Sequence, residues 1–347
     1  MISLRCNPSR VSYLTNRHGR LAASKPQPVY SFVLLFVIWA GLTVTATAQS
    51  FPAKPVRLVV ASAAGGADDF HSRIVAQGLT KMLGQQFVAD NRPGAGGVLG
   101  QEFVAKSPAD GYTLLLGGGS MTGAQFVKAN LPFDVMRDFA PVSLVTIIQS
   151  CLLIHPAVPA RNVKEFIALA QSRPGKLNFG SGGVGQTAYF SAAYFNGIAK
   201  INTVHIPYKS FAAVITDAMS GQIDFFFGNT SIAVTQTQAG KLRALAVTGA
   251  KRSLALPEIP TIAEAALPSY ELTSWMSILV PAATPRPVID TLNSAVVRLI
   301  ALPENRERMI KAGSEPASST PEELAKRMAE GVEKYGRIAK LVGLKPE

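Results

Sequence analysis

Short apolar runs alternate with amphipathic segments along most of the chain. The apolar runs are typical of strands buried in a parallel sheet, and the amphipathic segments carry apolar residues at helical spacing. This alternation predicts an α/β fold with largely parallel sheets. Strands are predicted at residues 58–61, 86–88, 112–116, 177–179, 204–206, 223–227 and 242–248, and helices at residues 70–83, 98–105, 186–198 and 211–219.

The first predicted strand runs into a glycine turn and then a helix. Gly65 and Gly66 permit backbone angles that a side chain would forbid, and they let a ligand approach the main chain. Asp68 or Asp69 is placed to cap the helix. Free N–H groups and the helix dipole at such a start attract an anion. We interpret the turn as a site for one end of a small carboxylate, with a purely structural turn as the alternative.

A second glycine-rich turn, residues 180–185, fits the G-x-G-x-x-G pattern of dinucleotide sites. Such sites place an acidic residue about 20 positions further on. No Asp or Glu occurs from Gln186 to Thr216, and the next strand carries His205 instead. The sequence therefore disfavours a nicotinamide cofactor, whereas the same geometry serves any anion, including a carboxylate.

Two segments are suited to cross between domains. Residues 141–154 are mostly apolar, and residues 271–280 can carry the chain back. We therefore predict a first domain in two parts, residues 49–150 and 272–347, with a second domain at residues 151–271 between them.

Helix signals are clearest in the second half of the chain. The C-terminal helix has one apolar face, formed by Leu324, Met328, Val332 and Ile338. Helix starts are predicted at Asn162 with Glu165, Thr261 with Glu264, Thr284 before Pro285, and Thr320 before Pro321.

The N-terminal segment has the features of a secretory signal peptide. Residues 1–30 hold basic residues and no acid, residues 32–44 are mostly apolar, and residues 46–48 have A-x-A spacing. We predict a signal peptide at residues 1–48, cleavage near Ala48-Gln49, and a periplasmic mature protein. The alternative is a membrane anchor, for which the apolar run is short.

Length and charge limit the function. The 347 residues, 48% of them hydrophobic, suffice for two domains. The predicted mature chain has 29 basic and 22 acidic residues, a net charge of +7 against +12 for the whole chain. A modest positive charge suits anionic small molecules, and no basic run interleaved with aromatics points to nucleic acid. Cys6 leaves with the leader, so Cys151 is alone and is predicted to be a buried small hydrophobe.

Signals of enzymatic chemistry are few. His71, His155 and His205 remain after leader removal, none of them at metal-binding spacing, and no G-x-S-x-G elbow or P-loop occurs. We predict no catalytic residue, no metal and no cofactor. A Ser-His-Asp set assembled in space stays open, because sequence order does not constrain it. His205 is interpreted as a core histidine, with a ligand contact as the alternative.

Polar residues also lie where predicted strands end, the edge at which α/β sheets bind ligands. Tyr208 and Lys209 follow one strand, and Asn229 follows another. Asp224 lies in an aromatic strand and needs either a ligand or a structural partner. Trp275 is interpreted as a core residue, with a lid over the ligand as the alternative.

Several segments together resemble one family. They are Phe51-Pro-Ala-Lys-Pro-Val-Arg57, Gly65-Gly66 with Asp69 and Arg73, Asn91-Arg-Pro-Gly-Ala-Gly-Gly97, Ala109-Asp-Gly-Tyr-Thr-Leu-Leu115, His205-Ile-Pro-Tyr-Lys209, Gly221-Gln-Ile-Asp224, Leu242-Arg-Ala-Leu-Ala-Val-Thr248 and Pro260-Thr261. The chain resembles the extracytoplasmic substrate-binding receptors of tripartite tricarboxylate transporters, often called the Bug family.

The resemblance implies a type 2 periplasmic-binding-protein fold, in which two α/β domains, joined by two crossing strands, face a ligand cleft. It also implies a small organic carboxylate as ligand, membrane subunits of a tripartite transporter as partners, and a monomer. A ligand-binding subunit of a sensor system and a secreted hydrolase are the rival functions.

The resemblance also implies a set of ligand-binding residues. Backbone donors are expected from Gly65, Gly66, Ser181, Gly183 and Gly185, with Ala63 in the first loop. Side-chain hydrogen bonds are expected from Ser120, Gln186, Thr187 and Tyr208, while Asp69 caps the first helix and orients a bridging water. Asp224 and Asn229 fall near the family's cleft.

The chain also departs from the family. It has Ala61, Ala63, Ala64 and Ala67 where the family's first loop is usually proline-rich. Tyr189 stands where a His is common, and Trp275-Met276-Ser277 replaces Trp-x-Gly. Asp68 is an added charge that either favours a ligand bearing an amine or points to solvent.

Overall fold

The computed structural model of the chain describes residues 51–346. The predicted leader, its cleavage site and Cys6 lie outside these residues. The strands are β1 Val56–Val60, β2 Phe87–Asn91, β3 Thr113–Gly118, β4 Phe139–Ile148, β5 Ser150–Ile154, β6 Asn178–Ser181, β7 Val204–Pro207, β8 Phe225–Asn229, β9 Arg243–Val247, β10 Ser274–Pro281 and β11 Glu315–Pro316.

The helices cover the sheets in the alternation that the sequence predicts. They are α1 Ala67–Leu83, α2 Val98–Ala105, α3 Ser120–Ala124, α4 Val163–Ser172, α5 Thr187–Ala199, α6 Phe211–Met219, α7 Thr230–Gln238, α8 Ile262–Ala265, α9 Arg286–Ala301, α10 Pro303–Lys311 and α11 Pro321–Leu341. None of the helices within residues 51–346 has the length and apolar character needed to span a membrane.

The strands form two mixed sheets. The first has the order β11-β4-β10-β3-β1-β2, with β1 parallel to both neighbours and β10 antiparallel to β3 and β4. The second has the order β7-β6-β8-β5-β9, with β6 parallel to β7 and β8. We refer to these sheets, with the helices packed on them, as the first and second lobes.

The chain passes from the first lobe to the second between β4 and β5, and Gln149 is the residue that separates them. Its side-chain oxygen accepts the N–H of Gly249 at 3.1 Å, just after β9. Its side-chain nitrogen donates to Glu315 Oε1 at 2.7 Å. Gln149 therefore ties the outgoing crossing to the segment that leaves the second sheet and to the edge strand of the first.

The last helix, α11, contributes to both cores. Leu324 and Met328 pack with the first lobe, whereas Tyr335 and Ile338 pack with the second. The ring of Tyr335 meets that of Phe190 edge-on, with centroids 4.7 Å apart. The predicted apolar face of this helix is thus confirmed.

The sequence patterns that predict helix starts are right at three positions and wrong at one. The predicted starts at Asn162, Thr261 and Thr320 are confirmed, because each side chain accepts a backbone N–H of its helix. The predicted start at Thr284 is wrong: α9 has Pro285 as N-cap and Pro287 in its first turn. β2 extends to Asn91, beyond the predicted strand.

Cys151 is fully buried as predicted, and burial raises the pKa of its thiol to about 12.

Candidate ligand cleft

A cavity of about 1130 Å³ lies between the lobes, at the carboxyl ends of their parallel strands. The first lobe contributes the turn after β1, the loop from Pro93 to Val98, and the region of α3. The second lobe contributes the turn after β6, the segment after β7 and the carboxyl end of β8. This is the position at which open α/β sheets bind ligands.

The first glycine turn is closed by Asp69. Gly65 has φ +86° and donates its N–H to Asp69 Oδ2 at 2.9 Å, and Arg73 Nε donates to the same oxygen at 3.0 Å. These two donors hold the pKa of Asp69 below its usual value. Oδ1 is buried and makes no hydrogen bond to the described residues. The Gly65 N–H, expected to face the ligand, is therefore engaged within the turn.

Helix α1 starts without a side-chain cap. Its N-cap is Gly66, so the expectation that Asp68 or Asp69 caps the helix is wrong, and both carboxylates lie in the first turn. The first N–H groups of a helix have no acceptor within it. Ala63, Ala67 and Asp68 line the cleft. The start of α1 therefore presents unpaired backbone donors to the cavity.

The second glycine turn is closed by Ser181. This residue is the last of β6, and it is fully buried. Its Oγ accepts the N–H of Gly183 at 3.1 Å and lies 2.7 Å from His205 Nε2. The side chain of Ser181 and the N–H of Gly183 thus face each other within the turn.

Helix α5 also starts without a side-chain cap. Gln186 is its N-cap and makes no capping hydrogen bond with its side chain. Gly185, Gln186 and Thr187 line the cleft. A side chain on Gly185 would have its Cβ 3.1 Å from the Val127 methyl groups, so this turn meets the first lobe closely. The starts of α1 and α5 therefore approach the cavity from opposite lobes.

The remaining expected residues divide into two groups. Ser120, exposed at the start of α3, and Asn229, the N-cap of α7, line the cleft. Tyr208 lies outside the wall and donates its hydroxyl to Asp217 at 2.8 Å. Burial and Asp217 raise the pKa of Tyr208 to about 12. Asp224 precedes β8 and accepts the N–H of Asn178 at 2.8 Å, which is a structural partner.

The Ser181–His205 pair has the distance of a nucleophile and its base. However, Ser181 is buried beneath the turn, and no carboxylate among residues 51–346 hydrogen-bonds the His205 ring. His205 is half-buried and stacks on Phe179, with centroids 4.8 Å apart. Desolvation lowers its pKa. The pair therefore has the arrangement of a turn support, without the third group that orients a catalytic base.

Several cleft residues were not found from the sequence. Val127 and Lys128 follow α3 in a segment without helical or strand periodicity. The sequence predicts Phe211 only as part of a helix, and Met276 only as part of the returning segment and of the departure from the family pattern. The ammonium group of Lys128 donates a hydrogen bond to the carbonyl oxygen of Ala95, in the loop after β2. Trp275 is buried in the first core as predicted, and its edge reaches the cavity.

A second groove, of about 1180 Å³, lies on the first lobe near the start of β1. It is open, and Asp90 in its wall pairs with Arg92 at 2.8 Å and Arg57 at 3.5 Å. Neither glycine turn borders it. Within residues 51–346, no cluster of three or more His, Cys, Asp or Glu has the geometry of a metal site.

Comparison with known proteins decides the family. Residues 71–344 match the model of the tripartite tricarboxylate transporter family receptor. The chain belongs to this family. Tripartite tricarboxylate receptors are periplasmic binding proteins and not enzymes, so the resemblance seen in the sequence is confirmed.

Relatives of the receptor extend over nearly all of its length. A protein encoded in the tcbD-tcbE intergenic region of Pseudomonas sp. strain P51 is 33% identical over 310 residues, covering 87% of this chain and 92% of the relative. Among solved structures, R. palustris Rpa4515 with adipate has 31% identity and a TM-score of 0.77, covering 86% of this receptor and all (100%) of that chain.

MatC from Rhodopseudomonas palustris, solved with bound malate, has 28% identity and a TM-score of 0.72. The alignment covers 83% of this receptor and 100% of that chain. Together with the two mixed sheets, these neighbours establish the α/β periplasmic-binding-protein fold with two lobes around a cleft.

Proposed function

We propose that the receptor captures a small organic carboxylate in the interlobe cleft and delivers it to the membrane subunits of a tripartite tricarboxylate-type transporter. The observation that carries the proposal is the pair of helix starts that approach the cavity from opposite lobes. Neither α1 nor α5 has a side-chain cap. Asn162, Thr261 and Thr320 cap α4, α8 and α11, whereas α9 and α10 also lack a side-chain cap, so the position of the starts of α1 and α5 at the cavity, together with the missing caps, supports the proposal.

A carboxylate supplies what both helix starts lack. Its oxygens accept N–H groups that have no partner inside the helix, and its charge is favourable near two positive dipole ends. Each lobe brings one donor set, so binding is strongest when the lobes approach. Ligand binding then stabilises hinge closure about the crossing near Gln149.

The charged side chains of the cleft wall also favour an anionic ligand. Lys128 comes from the first lobe and Lys209 from the second, whereas Asp68 is the single acid among the lining residues. The relatives Rpa4515 and MatC were solved with adipate and malate, which are dicarboxylates.

The proposal includes the route to the periplasm and the domain boundaries. Residues 1–48 act as a cleaved signal peptide. The first domain comprises residues 49–150 and 272–347, the second domain comprises residues 151–271, and the mature receptor acts as a monomer without a cofactor.

A thermal-shift comparison of acids with their amides tests the carboxylate assignment. Adipate and succinate are compared with adipamide and succinamide on the mature chain, residues 49–347. A ligand at 100 times its Kd adds about 2.7 kcal/mol of apparent stability. We expect shifts from acids and none from amides. Equal shifts from the amides would refute the carboxylate assignment.

Delivery is tested separately by uptake. Deletion of the gene should abolish uptake of the acid that binds, and expression of the chain should restore it. Unchanged uptake with loss of gene induction by that acid would instead support the sensor function.

A further inference from the structure

We propose that Tyr335, on the C-terminal helix α11, is a positioning residue for the ligand. When the cleft is occupied, its buried hydroxyl donates to the hydroxyl oxygen of Thr187, and Thr187 in turn donates its own proton to the ligand carboxylate. This inference rests on the proposed function, because it concerns how the start of α5 recognises that carboxylate.

The ring of Tyr335 packs behind the cleft between helices of both lobes. On the second lobe's side it meets the ring of Phe190 in α5 edge-on, with centroids 4.7 Å apart. On the first lobe's side α3 comes so near that a Cβ on Gly123 would lie 3.0 Å from Tyr335 Cδ1. The same two helices carry Ser120 and Thr187 in the cleft wall. The ring is therefore fixed by the helices that line the cavity from either lobe.

The hydroxyl of Tyr335 has no partner in the fold itself. The residue is only 3% exposed, and its hydroxyl oxygen is buried without a hydrogen bond to any residue within 51–346. Burial raises the pKa of Tyr335 to about 12. A buried hydroxyl without a partner is unfavourable, and a phenylalanine would fill the same space without that cost. The hydroxyl therefore does not stabilise the unliganded protein.

Thr187 is the polar side chain that faces this hydroxyl. It is the first residue of α5 and lies one turn before Phe190, on the same side of the helix. Its side chain opposes the rise in the pKa of Tyr335 that burial causes, although the two hydroxyls do not meet hydrogen-bond geometry. Thr187 also lines the cavity, so it lies between the tyrosine and the ligand.

A carboxylate fixes the direction of the hydrogen bonds along this line. A hydroxyl has one proton to donate and two lone pairs to accept with, whereas an ionised carboxylate only accepts. Thr187 must therefore give its proton to the ligand, and its oxygen then serves as acceptor for Tyr335. Each of these bonds polarises the next in a site shielded from water. Ligand binding thus supplies the partner arrangement that the buried hydroxyl lacks.

Tyr270 provides a matched comparison in the same core. It is 1% exposed, and its hydroxyl donates to the carbonyl of Ser191, one turn after Thr187 in α5, at 3.1 Å. Tyr270 does not line the cavity. Its hydroxyl bond is complete without a ligand, so this tyrosine stabilises the fold.

The test combines calorimetric Kd values with melting temperatures of the unliganded mature chain. The probe is whichever of succinate, adipate and malate the wild type binds most tightly. We expect Tyr335→Phe to weaken binding about fivefold, which corresponds to one net hydrogen bond, and to leave the melting temperature unchanged or raised. The control Tyr270→Phe should show the reverse, with a lower melting temperature and a Kd within about twofold of wild type.

A double-mutant cycle tests the link to Thr187. Thr187→Val removes the hydroxyl at nearly constant shape and should itself weaken binding. In that background Tyr335→Phe should cause no further loss, because residues that act through one another are not additive. Thr187→Ser keeps the hydroxyl and should restore the loss caused by Tyr335→Phe.

The outcomes separate the two proposals. An unchanged Kd in Tyr335→Phe, a melting temperature below that of wild type, or a loss of the same size with and without the Thr187 hydroxyl overturns the role of Tyr335 and leaves the carboxylate receptor intact. Failure of the wild type to bind any of the three acids overturns the proposed function itself.

Discussion

His71 joins the first ligand turn to Ser314, which lies 243 positions away in the sequence. Its Nδ1 is 2.7 Å from the carbonyl of Ala67 and its Nε2 is 2.8 Å from Ser314 Oγ. The carbonyl requires an N–H on Nδ1, and the partner of Nε2 is the Ser314 hydroxyl, which also lies 2.9 Å from the carbonyl oxygen of Met309. His71 therefore holds the start of α1 against the turn after α10.

This burial predicts acid sensitivity. Desolvation lowers the pKa of His71, opposed by the Ala67 carbonyl and the charge of Asp68. The unfolded chain consequently binds a proton near its ordinary pKa of about 6.5, before the folded protein does. Stability from this residue is present above about pH 6.5 and is lost as the pH falls toward the folded-state pKa.

We expect the melting temperature to fall between about pH 7 and pH 5, and His71→Gln to flatten this decline. Ser314→Ala keeps the buried ring and should retain the decline. An equally steep decline in His71→Gln would exclude this residue as the cause.

The hydroxyl of Tyr208 points away from the cleft, toward Asp217. We expect Tyr208→Phe to lower the free energy of unfolding by about 1 kcal/mol through the lost hydrogen bond, while Kd changes less than about twofold. Calorimetry and urea unfolding measure the two effects. A large loss of affinity at unchanged stability would place the hydroxyl in the ligand site.

Ser181→Ala should weaken ligand binding, in contrast to Tyr208→Phe. Its Oγ accepts the N–H of Gly183, so the alanine variant loosens the turn next to the start of α5. We expect Kd to rise about fivefold to tenfold, in keeping with about 1 kcal/mol for one hydrogen bond, with a smaller change in binding for the control Ser172→Ala in α4. Unchanged Kd would show that this turn does not position the ligand.

Asp68 is the single acid among the residues that line the cleft. We expect Asp68→Asn to tighten carboxylate binding about twofold to fivefold, because the Asp68 carboxylate repels the charge of the ligand by up to about 1 kcal/mol at a separation of about 4 Å in water. The gain should shrink at high salt. Asp290→Asn, at an exposed position of α9 that does not line the cleft, is the control. Weaker binding by Asp68→Asn would support a ligand that bears an amine.

Gly313 fits tightly between the lobes. It has φ +75°, its carbonyl accepts the Thr230 hydroxyl, and a Cβ would lie 2.4 Å from Ser231 N. Gly313→Ala should therefore lower the melting temperature more than Gly240→Ala, where φ is +65° and no atom lies within 4 Å. The difference measures the interlobe contact, and equal shifts would mean that only backbone strain matters.

Sequence reasoning located the elements better than the directions of polar groups. The predicted helix starts at Thr261, a capping box, and at Thr320, before a proline, rest on local patterns, and the structure confirms both. Ser181 and Tyr208 were placed correctly near strand ends, yet their hydroxyls pair with His205 and Asp217. A local pattern reports backbone conformation and does not reveal which of several partners a side chain reaches in three dimensions.

The cleft wall also contains residues that the sequence alone does not identify. Lys128 enters through an irregular segment after α3 and has no motif that would single it out. Its place depends on the packing of the loop around Ala95, which lies in a different part of the chain. Residues of this kind can be identified as part of the cleft only from the folded lobe.

Helix α11 gives the two lobes a shared dependence on the end of the chain. The core of the second lobe, whose strands are all complete by Val247, still includes Tyr335 and Ile338. The central segment therefore cannot finish its interior during synthesis until the C-terminal residues emerge. Completion of both cores therefore waits for the end of the chain: a truncation before Leu324 should damage both lobes, whereas one between Met328 and Tyr335 should damage mainly the second.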